Sequence, residues 1–164
     1  MELKIEALQL TWTADTNIII GQSHFIKTVE DIAEIMATTL PGKAYGLAFN
    51  EASGPCLTRT EGNDPTLVAD AIACATATAA GHTFYLILGP GVYPINVLDR
   101  IKSCMEVCRV FCATANPVQV LVARTEQGAG IIGVIDGASP RAVEDNTGKL
   151  ERKAMLRRFG YKFA

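Results

Sequence analysis

The sequence is short of the residues that most often announce a chemistry. It holds two histidines and one tryptophan. No apolar run reaches the ~18 residues that a membrane helix needs. The opening Met1-Glu2-Leu3-Lys4 mixes charges and has no apolar signal core, so a cytoplasmic protein without membrane partners is expected. Five cysteines stand at irregular spacing (Cys56, Cys74, Cys104, Cys108, Cys112) with no CxxC. That pattern argues against a disulfide framework or a structural zinc site. Buried free thiols are the expectation, with no metal ligands among them. Neither sign of charge dominates: 15 Lys and Arg face 17 Asp and Glu, for a net charge of −2. A dedicated nucleic-acid binder is not expected from that balance. There is no GxxxxGK[ST] phosphate loop, no protein-kinase signature set, no GxSxG elbow and no HExxH pair. Gly128-Ala129-Gly130 precedes a predicted strand and not a helix, which removes the dinucleotide-fold context.

What is present is enough for one domain over residues 1–164. A chain of this length buries roughly two-thirds of the surface its unfolded form exposes. At 49% hydrophobic residues it is not disordered. Alternation from Ile5 to Trp12 and the three isoleucines within Asn17 to Gly21 predict strands. Thr28-Val29-Glu30-Asp31 reads as a capping box with Thr28 as N-cap. The helix it opens ends at Pro41-Gly42. Ala44 to Glu51 predicts a strand. Asp64-Pro65 is a capping carboxylate followed by proline at the first helical position. The segment that follows, to Ala80, is small and apolar nearly all round, suited to close packing on more than one side, and Gly81 is its natural end. Strands are predicted at Thr83 to Leu88, Glu106 to Ala113 and Val118 to Arg124, with a short helix from Ile95 to Lys102. Gln127 to Gly130 is a hairpin turn returning through Ile131 to Ile135. A basic helix from about Lys149 to Phe159 closes the chain, with Met155, Leu156 and Phe159 expected to face inward. The class is α/β, or α+β, with a mixed sheet covered by helices.

Chemistry has few places to sit. His24 lies between a strand end and a helix start, followed by Lys27. Helix N-terminal amides stabilise anions, and imidazole can hold a phosphoryl group covalently. The bland alternative is a loop histidine that fixes a turn. His82, after Gly81, reads as structural or exposed. Asn50-Glu51-Ala52-Ser53-Gly54-Pro55 offers Glu51 as a base or ribose ligand, and Ser53 and Gly54 as phosphate donors, or else an ordinary turn. Tyr93 and Asn96 suit an adenine base, or simply a helix entry. Cys104, Cys108 and Cys112 read as a packed face, with a soft-metal or redox role as the alternative. Arg157 or Arg158 could reach a phosphate in its own or a neighbouring subunit, or lie on a solvated helix face.

Several ordered blocks together resemble one family. They include Gly21-Gln22-Ser23-His24-Phe25-Ile26-Lys27, Glu51-Ala52-Ser53-Gly54-Pro55, Tyr93-Pro94-Ile95-Asn96, Glu106-Val107-Cys108-Arg109 and Leu156-Arg157-Arg158-Phe159-Gly160-Tyr161-Lys162. The likeness, running from about residue 5 to the C-terminus, is to the small archaeal and bacterial adenosine-specific kinases. It implies a compact α/β homotrimer that binds adenosine or AMP and carries a phosphorylated histidine, for which His24 fits. It departs from the family at Ala129, where arginine is usual. The expected reaction is phosphoryl transfer to adenosine through His24. Lys27 would offset charge, Glu51 or Asp136 would take the hydroxyl proton, and Gln22, Ser23, Asn50, Ser53, Gly54, Tyr93, Asn96 and Arg157 would form the binding set. No tightly bound cofactor is expected; ATP or another phosphoryl donor is, with or without Mg²⁺. The alternative is an adenine-nucleotide sensor with a stable phosphohistidine.

Overall fold

Three adjacent isoleucines can all be buried only in a strand covered on both faces. Ile18, Ile19 and Ile20 are each fully buried in the computed structural model, which describes residues 2–163. They lie in β2 (Asn17–Ser23), next to the edge of a five-stranded sheet ordered β4-β3-β5-β2-β6. The other members are β3 (Tyr45–Asn50), β4 (Thr58–Gly62), β5 (Thr83–Leu88) and β6 (Val107–Thr114). A second sheet, ordered β1-β7-β8, holds β1 (Lys4–Leu10), β7 (Val118–Thr125) and β8 (Gly128–Asp136). The strand ladders are antiparallel; a lone parallel bridge joins Ala80 to Ala129. The architecture is α+β.

Each face of the large sheet has its own cover. On one side Ile19, Leu47, Phe84 and Leu86 pack with Val29, Ile32 and Met36 of α1 (Thr28–Thr39) and with Ile101 of α3 (Leu98–Lys102). On the other, Ile18, Ile20, Ala48, Tyr85 and Ile87 meet α2 (Pro65–Thr78) and the inward valines of β7, Val118, Val120 and Val122. The short helix predicted from Ile95 is split into a 3₁₀ turn (Pro94–Asn96) and α3.

The Asp64-Pro65 start forms as predicted: the Asp64 carboxylate accepts from the amides of Thr66 and Leu67 at 2.9 and 3.1 Å. The alanine-rich α2 presses so closely on β3 that a Cβ at Gly46 would lie 2.1 Å from the Leu67 carbonyl carbon.

Other expectations are corrected. Lys27, not Thr28, occupies the N-cap of α1, and no side chain caps it. The buried Thr28 hydroxyl instead donates to the Phe25 carbonyl and bonds with Ser23. The C-terminal helix α4 (Asn146–Arg158) has no buried residue; Met155 and Phe159 are exposed. It follows the 137–145 loop after β8, and the Phe159 ring meets Tyr161 of its own segment edge-on, with centroids 6.5 Å apart. The three late cysteines do not share a packed face. Cys104 sits in the turn before β6, and a bulge in β6 breaks its alternation, leaving Cys108 exposed and Cys112 buried. Cys56 is exposed as well. Burial pushes the Cys74 and Cys112 thiols up to about 12, which keeps them protonated.

Gly46→Ala should destabilise the protein by more than Asp64→Ala, because backbone must move to admit the methyl group. Loss of the cap costs about 1 kcal/mol and overpacking about 1–3 kcal/mol or more. Urea unfolding of both variants measures the order.

Candidate functional site

The ends of β2, β3 and the start of β5 meet at one place. The Ser23 amide donates to the His82 carbonyl at 2.8 Å, and the His82 amide to the Asn50 carbonyl at 2.7 Å. Beside this junction opens a cleft of about 880 Å³, within the size range of small-molecule sites. Its walls are Gln22, Asn50, Glu51 and Ala52 from the strand ends, Cys56 and Leu57 from the loop before β4, and Thr58 at its start. Ala75, Thr76 and Ala79 come from the end of α2, Gly81 and His82 from the turn into β5, and Ala123, Thr125 and Gln127–Gly130 from the β7–β8 hairpin.

Backbone strain is concentrated here. Four non-glycine residues have positive φ among the described residues: Asp15, Cys56, Ala79 and His82. The last three line the cleft. An L-residue in this region costs of order 1–2 kcal/mol, and such strain clusters at functional sites. The surroundings hold it in place. The Asn50 amide nitrogen donates to the Ala75 and Ala80 carbonyls at 2.9 and 3.2 Å, and its oxygen accepts from Thr58 at 2.8 Å. Thr83 donates to the Ala80 carbonyl at 2.6 Å, and the buried Tyr85 hydroxyl bonds with Thr78 and Thr83. The His82 ring stacks on Phe49, with centroids 6.0 Å apart and planes at 28°.

Glu51 is committed to its own loop. One carboxylate oxygen takes two bonds from Arg59, at 2.8 and 2.7 Å, and the other accepts from the Leu57 amide at 2.7 Å. The Leu57 amide, the largest influence, holds this carboxyl below its usual range; burial opposes it, and Arg59 adds to the lowering. No Lys or Arg lines the cleft among the described residues. Its fixed charges are Glu51, paired with Arg59, and the negative C-terminal end of the α2 dipole, where Arg124 from just outside the lining donates to the Ala77 carbonyl at 3.0 Å.

Of the residues singled out from sequence, Gln22, Asn50 and Glu51 line the cleft, and Ser53 and Gly54 are exposed on the loop that borders it. His24 and Lys27 lie just past Gln22 but outside the lining. His24 is exposed, with its amide donating to the Glu106 carbonyl at 2.7 Å. Lys27 forms an ion pair with Asp31 that raises its pKa. The amides of residues 28–31 donate to the carbonyls of Phe25, Ile26 and Lys27, so they are engaged within the turn. Ser23 is buried and bonded to Thr28 and to the Glu106 carbonyl.

Tyr93, Asn96 and Asp136 sit at the other end of the sheets. Leu88, from which the chain runs on to Tyr93, pairs with Asn17, whereas Thr83 pairs with Gln22. Those ends are separated by ~17 Å of strand at ~3.3 Å per residue. The Tyr93 amide donates to the Asn96 side chain at 3.0 Å, as a helix entry requires. Asp136 accepts from Thr114 and Asn116 at 2.8 and 2.9 Å. Arg157 is exposed on α4 and donates to the Lys153 carbonyl at 3.0 Å. The sequence reading missed His82, Thr76, Thr125 and Gln127. Of these only His82 carried a signal, as a histidine directly after the glycine that was expected to end α2.

The chain belongs to the adenosine-specific kinase family, whose model ("Adenosine specific kinase") matches residues 8–162. A function connected with adenosine or its nucleotides follows from that membership. Among solved structures, the PH1918 protein from Pyrococcus horikoshii OT3 is similar to this chain at 40% identity, with a TM-score of 0.93. That match covers 99% of this chain and 100% of the other. No curated protein matches this chain. No helix among the described residues is long and apolar enough to cross a membrane.

Two measurements check the site's geometry. Ala79→Gly should raise stability by about 1 kcal/mol, since glycine adopts positive φ without the Cβ penalty; thermal melting reads it. The Glu51 bonds to Leu57 and Arg59 should be fully present above the usual carboxylate range and be lost only as pH falls through the lowered pKa of the folded state. The Leu57 amide resonance should titrate with a midpoint below that range, and should not titrate there in Glu51→Gln.

Proposed function

We propose that this chain is a cytoplasmic adenosine phosphotransferase. On this reading it binds adenosine in the cleft and passes a phosphoryl group to the 5′-hydroxyl through a histidine. The observation that carries the reading is the concentration of strained backbone around a cleft whose lining is mostly neutral. Gln22, Thr76, Thr125 and Gln127 offer uncharged donors and acceptors, which suit a nucleoside. Three of the residues at this cleft are held at positive φ. The reading includes assembly into a homotrimer, as the resemblance implies.

Transfer takes two displacements. An imidazole nitrogen attacks the terminal phosphorus of a donor such as ATP; the N–P bond forms and the P–O bond to ADP breaks. The adenosine 5′-oxygen then attacks the same phosphorus. The N–P bond breaks, AMP leaves, and the hydroxyl proton passes to the freed ring nitrogen or to solvent. His82 is the imidazole on the cleft and takes the carrier role in this account; His24, the sequence candidate, stands just outside. Glu51 is a poor proton acceptor because both its oxygens are already bonded. For the same reason it offers no free carboxylate to Mg²⁺, and in this account any Mg²⁺ arrives on the donor's phosphates.

One observation favours the sensor alternative. Ala129, the position where the family usually has arginine, lines the cleft, and no Lys or Arg lines it among the described residues. Charge on a transferring phosphoryl group is therefore not offset by the lining itself.

Incubation with ATP and labelled adenosine separates these readings. AMP should form, and His82→Ala should abolish it by on the order of 10³-fold or more, while His24→Ala should leave it within a few-fold. The opposite pattern assigns the carrier to His24. Adenosine binding without AMP formation would establish the sensor. Intact-mass spectrometry should find an added phosphate of about 80 Da, labile in mild acid and absent from the carrier variant.

A further inference from the structure

We propose that the basic C-terminal segment of one copy, α4 through Phe163, docks on a second copy beside its cleft and supplies the cations that the cleft lacks. This rests on the reading of the cleft as a phosphoryl-transfer site. Among the described residues the lining contains no Lys or Arg, and the nearby Arg59 is held by Glu51. Arg124, between the lining residues Ala123 and Thr125, is engaged as well, by Glu6 and by the Ala77 carbonyl at 3.0 Å. Among the described residues the cations beside the cleft are thus committed within their own subunit, and a phosphoryl group entering it meets no free one.

The missing charge is on the same molecule in a place its own fold does not use. Residues 146–163 carry six basic side chains and one acidic. The remaining 146 residues carry nine basic and sixteen acidic, so the body of a second copy is complementary to this segment. No residue of α4 is buried, and most apolar side chains interleaved with the cations are exposed: Phe159 is 59% and Phe163 91% exposed, while Leu156 is half-buried. In its own subunit the segment departs from Asp136, the end of β8 paired with Val118. The cleft is at the other end of that ladder, where Thr125 pairs with Gly128. A surface to receive it exists on the outer face of the small sheet, where Ile5, Ile132 and Ile135 are exposed. That sheet ends in the β7–β8 hairpin, which forms one wall of the cleft. Seated there, Arg157 or Arg158 would reach the phosphoryl group in trans.

The test uses full-length protein and the triple variant Lys153→Glu/Arg157→Glu/Arg158→Glu, whose changes lie on an exposed helix. Sedimentation needs no ligand. Wild type should sediment as a multiple of the 17.5 kDa chain, and the triple variant should assemble at least tenfold more weakly. A wild type that sediments as a single chain, or a triple variant that assembles as wild type does, overturns the proposal. Mixing then tests the contribution in trans. The triple variant keeps an intact cleft and His82→Ala keeps an intact segment; each alone should lack AMP formation from ATP and adenosine, and the mixture should regain it. If wild type makes AMP but the mixture stays inactive, the supply of cations in trans is wrong. If wild type neither binds adenosine nor makes AMP, the reading of the cleft fails, while sedimentation still decides the docking.

Discussion

The side chain of Asn50 holds the candidate site together. It is buried at the end of β3, and both its nitrogen and its oxygen are committed: to the carbonyls of Ala75, in the last turn of α2, and of Ala80, just past that helix, and to the first residue of β4. A buried amide satisfied on every side fixes its surroundings, because breaking any one bond leaves an unpaired polar group. Those bonds tie the strand end, the exit of α2 and the turn into β5 into one rigid rim. That rim is what can keep Ala79 and His82 in a backbone conformation that neither would choose alone. An opening shaped by such a constraint is pre-organised, so a bound ligand need not order it.

The charge of the opening follows from the same geometry. Because α2 starts at the capped Asp64 and runs toward the rim, its C-terminal carbonyls point there. Glu51, the ionised group on the rim, is neutralised by Arg59. The result is a recess of hydrogen-bonding groups with little positive charge, a suitable host for a nucleoside and an unfavourable one for an isolated phosphate. On the proposed reading, phosphoryl transfer in such a place needs charge from elsewhere, and the exposed basic C-terminus of a second copy is its proposed source.

Much of the fold was legible from residue pattern. Ile18–Ile20 marked a strand, Asp64-Pro65 a helix start, and Gln127 to Gly130 a hairpin, because each depends on neighbours in sequence, although the turn itself falls at Glu126-Gln127 and Gly128 to Gly130 already pair within β8. Thr28 was misread as a cap because the groups that claim its hydroxyl belong to the preceding turn, a folded feature that spacing alone does not reveal. The site was legible only in part. Gln22, Asn50 and Glu51 belong to it, but Tyr93, Asn96 and Asp136 were grouped with them by chemistry, and antiparallel pairing sends them to the opposite end. Cys56, Ala79 and His82 have no glycine to advertise their positive φ. Ala79 is the left-handed cap of α2 and His82 is bonded through its amide to the Asn50 carbonyl; such contacts between distant segments are not displayed by a linear sequence.

The most direct test of the central claim is to titrate isotope-labelled protein with adenosine and follow the amide resonances. The account predicts that the shifts concentrate at Gln22, Thr76, His82 and the 125–130 hairpin, with Tyr93 to Asn96 and Asp136 unmoved. Shifts gathered around Tyr93 and Asn96, or no response at the rim at ligand concentrations that saturate binding, would contradict it.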